Sequence, residues 1–207
     1  MGFVRKDHFH KRAKKEGYRS RAVFKLQEIQ KRFRIFPRGG KVLDLGAAPG
    51  GWLQVASEFV KREGKVVGID RLPIEPLPLR NVTILEGDLL DPDVRDEALD
   101  TLGGLADVVM SDMAPNLTGV RVTDCVRSFE LSMIALNMAR QCLKTGGSFV
   151  AKIFPGDEFD TFLKECRQSF RKVRTTKPEA TRKSSSEVYV IAVDFKEVQP
   201  EDVDTDS

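Results

Sequence analysis

The stretch Val42-Leu-Asp-Leu-Gly-Ala-Ala-Pro-Gly-Gly-Trp52 constrains this chain more than any other. Val42, Leu43 and Leu45 make a short apolar run of the kind that forms a buried strand. Glycines crowd behind it, and a helix-forming segment, 52–61, begins at once. A strand, a glycine turn and a helix N-terminus let the backbone approach a ligand closely, because glycine has no Cβ. The spacing of Gly46, Gly50 and Gly51 does not fit the G-x-G-x-x-G dinucleotide fingerprint. A second strand over 65–70 closes the unit, and its terminal Asp70 stands where a carboxylate accepts hydrogen bonds from ribose hydroxyls. More than one cofactor carries such a ribose, so Asp70 alone does not choose among them. Trp52 at the helix start suits packing or a ligand contact equally.

A chain of 207 residues is long enough to bury a substantial core as one domain. Hydrophobic residues at 41% and charged residues at 31% fit a soluble globular protein. No apolar run reaches the length of a membrane span, and residues 1–20 lack the apolar region of a signal peptide. A cytoplasmic setting is therefore expected. Cys125, Cys142 and Cys166 form no C-x-x-C pair and read as reduced thiols. With only His8 and His10 as histidines, a metal site or a Ser-His-Asp triad is not expected. Charge is strongly segregated: residues 1–41 hold 14 Lys/Arg against 3 Asp/Glu, and the remainder 20 against 28. A net +11 segment on a chain of net +3 suggests a footprint for a polyanion. A solvated basic tail is the plainer alternative.

In chain order, residues 1–18 read as a loosely ordered basic arm with Phe3, Phe9 and Tyr18 interleaved. Ser20 is placed to cap a helix reaching about Phe33, with Ala22, Leu26, Ile29 and Phe33 as its apolar stripe and Lys25 beside it. Pro37, Gly39 and Gly40 end that element. The Pro-rich stretch 72–78 is a connection. A third strand is expected over 81–86, a helix over 91–102, a strand over 106–112 and a long helix over 124–143, with Lys144 and Gly146 as stop signals. A strand over 147–154, a helix over 157–170 and a last strand over 187–193 follow. The tail from Asp194, with six acids and one lysine, reads as disordered. The whole is one domain over 1–195, with a basic arm and helix over 1–36 and an acidic tail over 196–207. Alternating strands and helices predict an α/β fold, a doubly wound and mainly parallel sheet. Ligands bind such sheets beyond the carboxyl ends of the strands, where Asp70, Asp88, Asp112 and Lys152 all fall.

Asp44-Leu-Gly-Ala-Ala-Pro-Gly-Gly resembles the first motif of S-adenosylmethionine-dependent methyltransferases. Lys25 in Arg-Ser-Arg-Ala-Val-Phe-Lys-Leu, Asp112 in Ser-Asp-Met-Ala-Pro-Asn, Lys152 in Val-Ala-Lys-Ile-Phe and Glu187 in Ser-Ser-Glu-Val-Tyr complete a set of five separated motifs. Together they resemble the FtsJ-type RNA 2′-O-methyltransferases over roughly residues 5–195. The resemblance implies a Rossmann-like methyltransferase fold with an antiparallel last strand, and a Lys25-Asp112-Lys152-Glu187 tetrad. It implies S-adenosyl-L-methionine contacts at Gly50, Trp52, Asp70, Asp88 and Asp112. A single-domain chain of this length resembles most the members that methylate a uridine ribose in large-subunit ribosomal RNA. Transfer RNA, methylated in its anticodon loop, is the nearest alternative substrate.

A ribose 2′-hydroxyl is a weak nucleophile, so the residues must align it and help remove its proton. Alignment contributes about 7–11 kcal/mol and general base catalysis about 10²–10⁴-fold. Lys152 is the candidate base, and must be neutral to act, as burial or the neighbouring Lys25 would favour and Asp112 and Glu187 would oppose. Lys152 as a charged donor orienting the oxygen is the other possibility. Phosphate contacts are expected from Lys14, Lys15, Arg19, Arg21, Arg182 and Lys183, with further cations over 164–177. Phe3 and Phe9 serve either as base-stacking groups or as staples onto the core. The segregated charge leads to the expectation of a monomer. A nicotinamide oxidoreductase is disfavoured by the glycine spacing, a small-molecule methyltransferase by the basic segment, and a non-catalytic RNA-binding module by the intact tetrad.

Overall fold

The computed structural model describes residues 8–182 and 185–196. Thirteen elements follow in order: α1 (His8–Lys15), α2 (Val23–Phe33), β1 (Lys41–Leu45), α3 (Gly51–Val60), β2 (Lys65–Asp70), β3 (Val82–Glu86), α4 (Pro92–Leu102), β4 (Ala106–Ser111), α5 (Arg121–Cys142), β5 (Leu143–Ile153), α6 (Phe159–Ser169), β6 (Phe170–Thr176) and β7 (Val188–Phe195). The strands form one sheet in the order β3-β2-β1-β4-β5-β7-β6. The first five strands are mutually parallel, and β7 runs antiparallel to both β5 and β6. This is the doubly wound α/β sheet that the alternation predicts. Its order reverses between β1 and β4, which opens the crevice where such sheets bind ligands.

Apolar side chains alternate across the strands and build two cores. Leu43, Leu45, Val67, Val109, Phe149 and Ala151 face α4, α5 and α6. Val42, Val66, Val108, Met110, Val150 and Ile191 face α2 and α3. Because the strand repeat is two, Asp44 shares the second face with Val42, and Lys152 with Val150. Helix α4 starts with the chemistry its sequence carries: Asp91 accepts from Asp93 N–H, Pro92 occupies the first turn, and Gly103 closes the end at φ +73°.

The structure corrects several expectations. The basic arm is not loose over its described part: residues 8–15 are helical, and Ala13 is buried. Phe24 organises this docking, with the Phe9 ring at 5.5 Å, the Tyr18 ring at 6.2 Å and the Arg12 guanidinium 4.3 Å above it. Phe9 is thus a staple onto the core, while Phe3 lies outside the described residues. Ser20 caps no helix. α2 begins at Val23 after Ala22, without a side-chain cap. Lys144 and Gly146 are not beyond the long helix in a turn but inside β5, which begins irregularly against β4. Asp194 and Phe195 extend the last strand; the rest of the acidic tail, from residue 197, lies outside the described residues.

Strand β6 is absent from the sequence reading. Its residues Phe-Arg-Lys-Val-Arg-Thr-Thr carry no apolar run because it is an edge strand, paired to β7 alone. Edge strands are commonly protected by charge. Its anchor is Phe170, buried between Phe149 (6.0 Å between ring centroids) and Phe195 (5.2 Å). Phe170→Ala is expected to destabilise the fold by about 3–5 kcal/mol, seen as a lower urea midpoint at unchanged slope.

Candidate active site

Sheet register brings the predicted residues into one row. Leu45 pairs with Ser111, and Ser111 with Ala151, so Gly46 and Asp112, just past the ends of β1 and β4, stand in one row with Lys152, the last residue but one of β5. Lys152 pairs with Tyr189. Since β7 runs antiparallel, its N-terminal end delivers Glu187 and Tyr189 to the edge where the parallel strands deliver their C-terminal ends. Lys25 arrives from α2, on the sheet face that Lys152 and Tyr189 share.

The four tetrad residues form one chain through Tyr189, buried apart from the half-buried Asp112. Lys25 makes an ion pair with Glu187 and donates to the Tyr189 hydroxyl at 3.1 Å. That hydroxyl donates to Asp112 Oδ1 at 2.6 Å, and Asp112 Oδ1 meets Lys152 Nζ at 3.0 Å. Lys152 Nζ also donates to the Asp112 carbonyl at 2.6 Å. Lys25, Lys152 and Glu187 are buried, and Tyr189 is completely so. Burial, then the Asp112 and Glu187 carboxylates, push the Tyr189 hydroxyl well above its ordinary pKa, so it remains a phenol that bridges two charged groups. Ser132 on α5 donates to the Lys152 carbonyl at 3.0 Å, and Phe154 N–H donates to Ser128 Oγ at 2.9 Å. These two serines fix the strand end that carries the lysine. The sequence reading missed Tyr189, Ser128 and Ser132; the position of Tyr189 two residues beyond Glu187 in a strand was the available signal.

Two cavities meet at this row. One, of about 410 Å³, lies over the ends of β2, β3 and β4 and is lined by Asp70, Asp88 and Asp112 with Leu89, Met113 and Ile134. A smaller one, of about 140 Å³, is lined by Asp44, Pro49, Gly51, Trp52 and Ser20. Gly46, Ala48 and Asp112 belong to both. Asp70 Oδ2 accepts from Ala48 N–H at 2.8 Å and Oδ1 from Leu72 N–H at 2.9 Å, which fixes the glycine turn and the Pro-rich connection. Asp88 accepts from Leu90 N–H and faces Arg71 at 3.6 Å. Trp52 is buried, donates its indole N–H to the Ala22 carbonyl at 3.0 Å and packs on Tyr189 at 5.9 Å. It therefore packs and also walls the small cavity. Gly50 (φ +102°) lines neither cavity; a Cβ there would press on Arg19.

A third hollow, a cleft of about 590 Å³, opens on the other side of Lys152. Arg21, Lys25, Arg121, Lys152 and Arg182 line it, and of its two acids Glu187 is engaged by Lys25 and Asp124 by Thr118 and Gly119. Burial, followed by the charge of Arg182, holds the Arg21 guanidinium below its usual pKa; such crowding of two cations favours an anion between them. Arg19 is placed differently from expectation. Its guanidinium donates to the carbonyls of Pro49, Glu75 and Pro76, so it ties the glycine turn to the Pro-rich connection. Lys14 and Lys15 are exposed on α1 and are not among the residues lining the cleft. Lys183 lies outside the described residues. Cys142 and Cys166 are buried free thiols, pushed up to about 11 and about 12 by desolvation, and Cys125 is likewise free and buried. Among the described residues no cluster suited to a metal ion is found, and no helix is long and apolar enough to cross a membrane.

A 3-2-1-4-5-7-6 sheet with an antiparallel seventh strand, carrying ligand cavities at its order reversal, defines the Rossmann-like methyltransferases. A ribosomal RNA methyltransferase structure from Plasmodium falciparum superposes with a TM-score of 0.77 at 28% identity, covering 86% of this chain and 98% of that one. Aeropyrum pernix fibrillarin with bound S-adenosyl-L-methionine shares the fold at a TM-score of 0.59 and 17% identity, over 85% of this chain and 75% of that one. The profile of the FtsJ-like methyltransferase family matches residues 18–195. The chain is 48% identical over 193 residues to ribosomal RNA large subunit methyltransferase E of Syntrophobacter fumaroxidans, covering 93% of this chain and 98% of the relative. It is 45% identical over 192 residues to the Methanothermobacter thermautotrophicus protein of the same name, covering 93% and 91%. The chain belongs to the FtsJ-like methyltransferase family, and S-adenosyl-L-methionine is its cofactor.

The cavities fit that cofactor. Asp44 is fully buried, and its Oδ2 has no hydrogen-bond partner among the described residues. A buried carboxylate oxygen left orphaned beside a small cavity suits the ammonium of an amino-acid ligand. Burial, then Asp112 and Asp70, raise the Asp44 carboxyl well above its usual pKa; a cationic sulfonium ligand relieves that crowding of acids. Leu72, Leu89, Leu90 and Ile134 give the larger cavity apolar faces for an adenine. The sequence reading quoted Asp44 within the motif but assigned it no role.

Without cofactor, the native protein holds on Asp44 a proton that the unfolded chain releases above about pH 4. That stabilisation is complete below about pH 4 and is lost as pH rises toward and through the raised value. Asp44→Asn has no proton to lose, so its melting temperature relative to wild type is expected to climb from pH 4 to pH 7. Calorimetric titration at pH 7 is expected to show S-adenosyl-L-methionine bound about tenfold more weakly or worse. Equal affinity would remove Asp44 from cofactor binding.

Proposed function

We propose that the protein transfers a methyl group from S-adenosyl-L-methionine to the ribose 2′-hydroxyl of a uridine in large-subunit ribosomal RNA. One observation carries the reading: the Lys152–Asp112 pair sits where the cofactor cavities meet a cleft lined by five cations. The names of the relatives support ribosomal RNA as the acceptor, and the tetrad matches the pattern of the family's 2′-O-methylating members. Residues 1–195 would act as a single catalytic domain, and as a monomer.

When bound, the cofactor supplies an electrophilic methyl on a sulfonium. Lys152 acts on the oxygen that receives it. Nζ has two of its positions committed to the Asp112 carboxylate and carbonyl, which leaves one directed to the cleft. In the neutral amine that position is a lone pair, and it takes the 2′-hydroxyl proton. Asp112 anchors the lysine and adds negative charge beside the sulfonium. Glu187, Lys25 and Tyr189 hold Asp112 in place from behind. Asp70 and Asp88 are placed to receive the ribose and adenine of the cofactor. Arg21, Arg121 and Arg182 hold backbone phosphates, so that the ribose enters edge-on toward Lys152. Alignment of this kind supplies about 7–11 kcal/mol.

The decisive experiment measures labelled methyl transfer to unmethylated large ribosomal subunits by wild type and Lys152→Ala, with the product mapped at nucleotide resolution. Wild type is expected to label a uridine ribose, and the variant to lose about 10²–10⁴-fold or more while still binding cofactor. Label on transfer RNA but not on subunits would move the acceptor. Arg121 lines the cleft with no ion-pair partner among the described residues. Arg121→Ala is expected to flatten the slope of log affinity against log salt by about 0.7–0.9; an unchanged slope would remove it from phosphate contact.

A further inference from the structure

Six large hydrophobic side chains are strongly exposed among the described residues, and three of them, Leu117 (68%), Val120 (58%) and Val122 (70%), fall within six consecutive positions. Isolated exposed aliphatics need no explanation, whereas a group of them on one segment does. This segment forms a wall of the acceptor cleft: Leu117, Gly119 and Arg121 line it together with Lys152.

The segment is held in a defined shape. The Asp124 carboxylate accepts from Thr118 N–H at 2.8 Å, from Thr118 Oγ1 at 2.8 Å and from Gly119 N–H at 3.2 Å. Thr118 Oγ1 in turn accepts from Val120 N–H at 3.2 Å. These donors hold the Asp124 carboxyl below its usual pKa. Gly119, at φ +83°, allows the turn that points Leu117 and Val120 outward from a fixed base. In sequence a cation, Arg121, stands between the exposed Val120 and Val122. Phosphate and base alternate in the same way along a nucleic-acid strand.

We propose that the Leu117–Val122 segment is a base-contacting ridge, in which Leu117 and Val120 cover the face of the acceptor nucleotide's base while Arg121 holds an adjacent phosphate. The inference rests on the RNA 2′-O-methylation reading and deepens it. Lys152 is buried and reached through the cleft, so a ribose that meets it brings its base against the cleft wall, and an unstacked base needs an apolar surface against its exposed face. The ridge supplies that surface beside the lysine. It gives the enzyme a grip on a single unpaired nucleotide that phosphate contacts alone do not provide.

The test uses the full chain with unmethylated large ribosomal subunits. The double variant Leu117→Ser/Val120→Ser is expected to raise KM for subunits about tenfold, with kcat, cofactor affinity and salt slope near wild type. Leu117→Met, which keeps apolar bulk, is expected to restore KM. A photo-crosslinking benzoylphenylalanine introduced at Leu117 is expected to join the base of the methylated nucleotide. An unchanged KM in the double variant, or a cross-link to a ribosomal protein or to RNA remote from the methylated nucleotide, overturns the ridge. Failure of the wild type to methylate any RNA instead overturns the proposed function, and the ridge with it.

Discussion

A buried line of charge from Glu187 through Lys25, Tyr189 and Asp112 to Lys152 joins the second helix of the chain to its last strand. Each member would be costly alone. A buried ammonium or carboxylate without a partner destabilises a fold by several kcal/mol, and removal of one partner from such a pair costs about 3–5 kcal/mol. Lys25 and Tyr189 lie 164 positions apart in sequence, so α2 is tied into the sheet rather than standing apart from it. Tyr189 makes the line continuous. Its single proton goes to Asp112 and its lone pair receives Lys25, so two ion pairs of opposite orientation share one neutral bridge.

Around this line the acids and cations separate into two fields. Asp44, Asp70 and Asp112 converge on the cofactor side of Lys152, and burial, reinforced by the Asp112 and Asp70 carboxylates, raises the Asp44 carboxyl well above its usual pKa. Arg21, Arg121 and Arg182 converge on the other side. The two fields suit a cation on one side of Lys152 and an anion on the other. The arrangement follows from topology: parallel strands present their acids together at their C-terminal ends, while the turn before α2, the start of α5 and the connection into β7 bring in Arg21, Arg121 and Arg182.

Much of this was legible in the sequence. The strand over 65–70 has the predicted bounds, and the order of strands and helices followed from hydrophobic alternation and turn residues. Lys25, Asp112, Lys152 and Glu187 were found through motifs, and the structure brings all four together. What escaped had local patterns that say little. Strand β6 lacks an apolar run because it is an edge strand, with Phe170 as its one fully buried apolar side chain. The helix at 8–15 is polar on its own and is ordered by aromatic contacts to Phe24, which lies nine or more positions away. Arg19 reads as a phosphate ligand in a basic segment, yet three carbonyls from two distant loops claim its guanidinium. Tyr189 was hidden among the apolar residues of a strand, where a phenol is read as packing. Contacts of long sequence separation leave no periodic trace, and these four cases all depend on them.

The chain has a single tryptophan, and the fold sets its ring against Tyr189 on the wall of the small cavity. An indole so placed is a built-in optical gauge. Its emission responds to charge and polarity within a few ångströms, and those are the properties that change when a sulfonium arrives among the carboxylates. The protein therefore carries its own unlabelled reporter on the wall of the small cavity, without a second tryptophan elsewhere to obscure it.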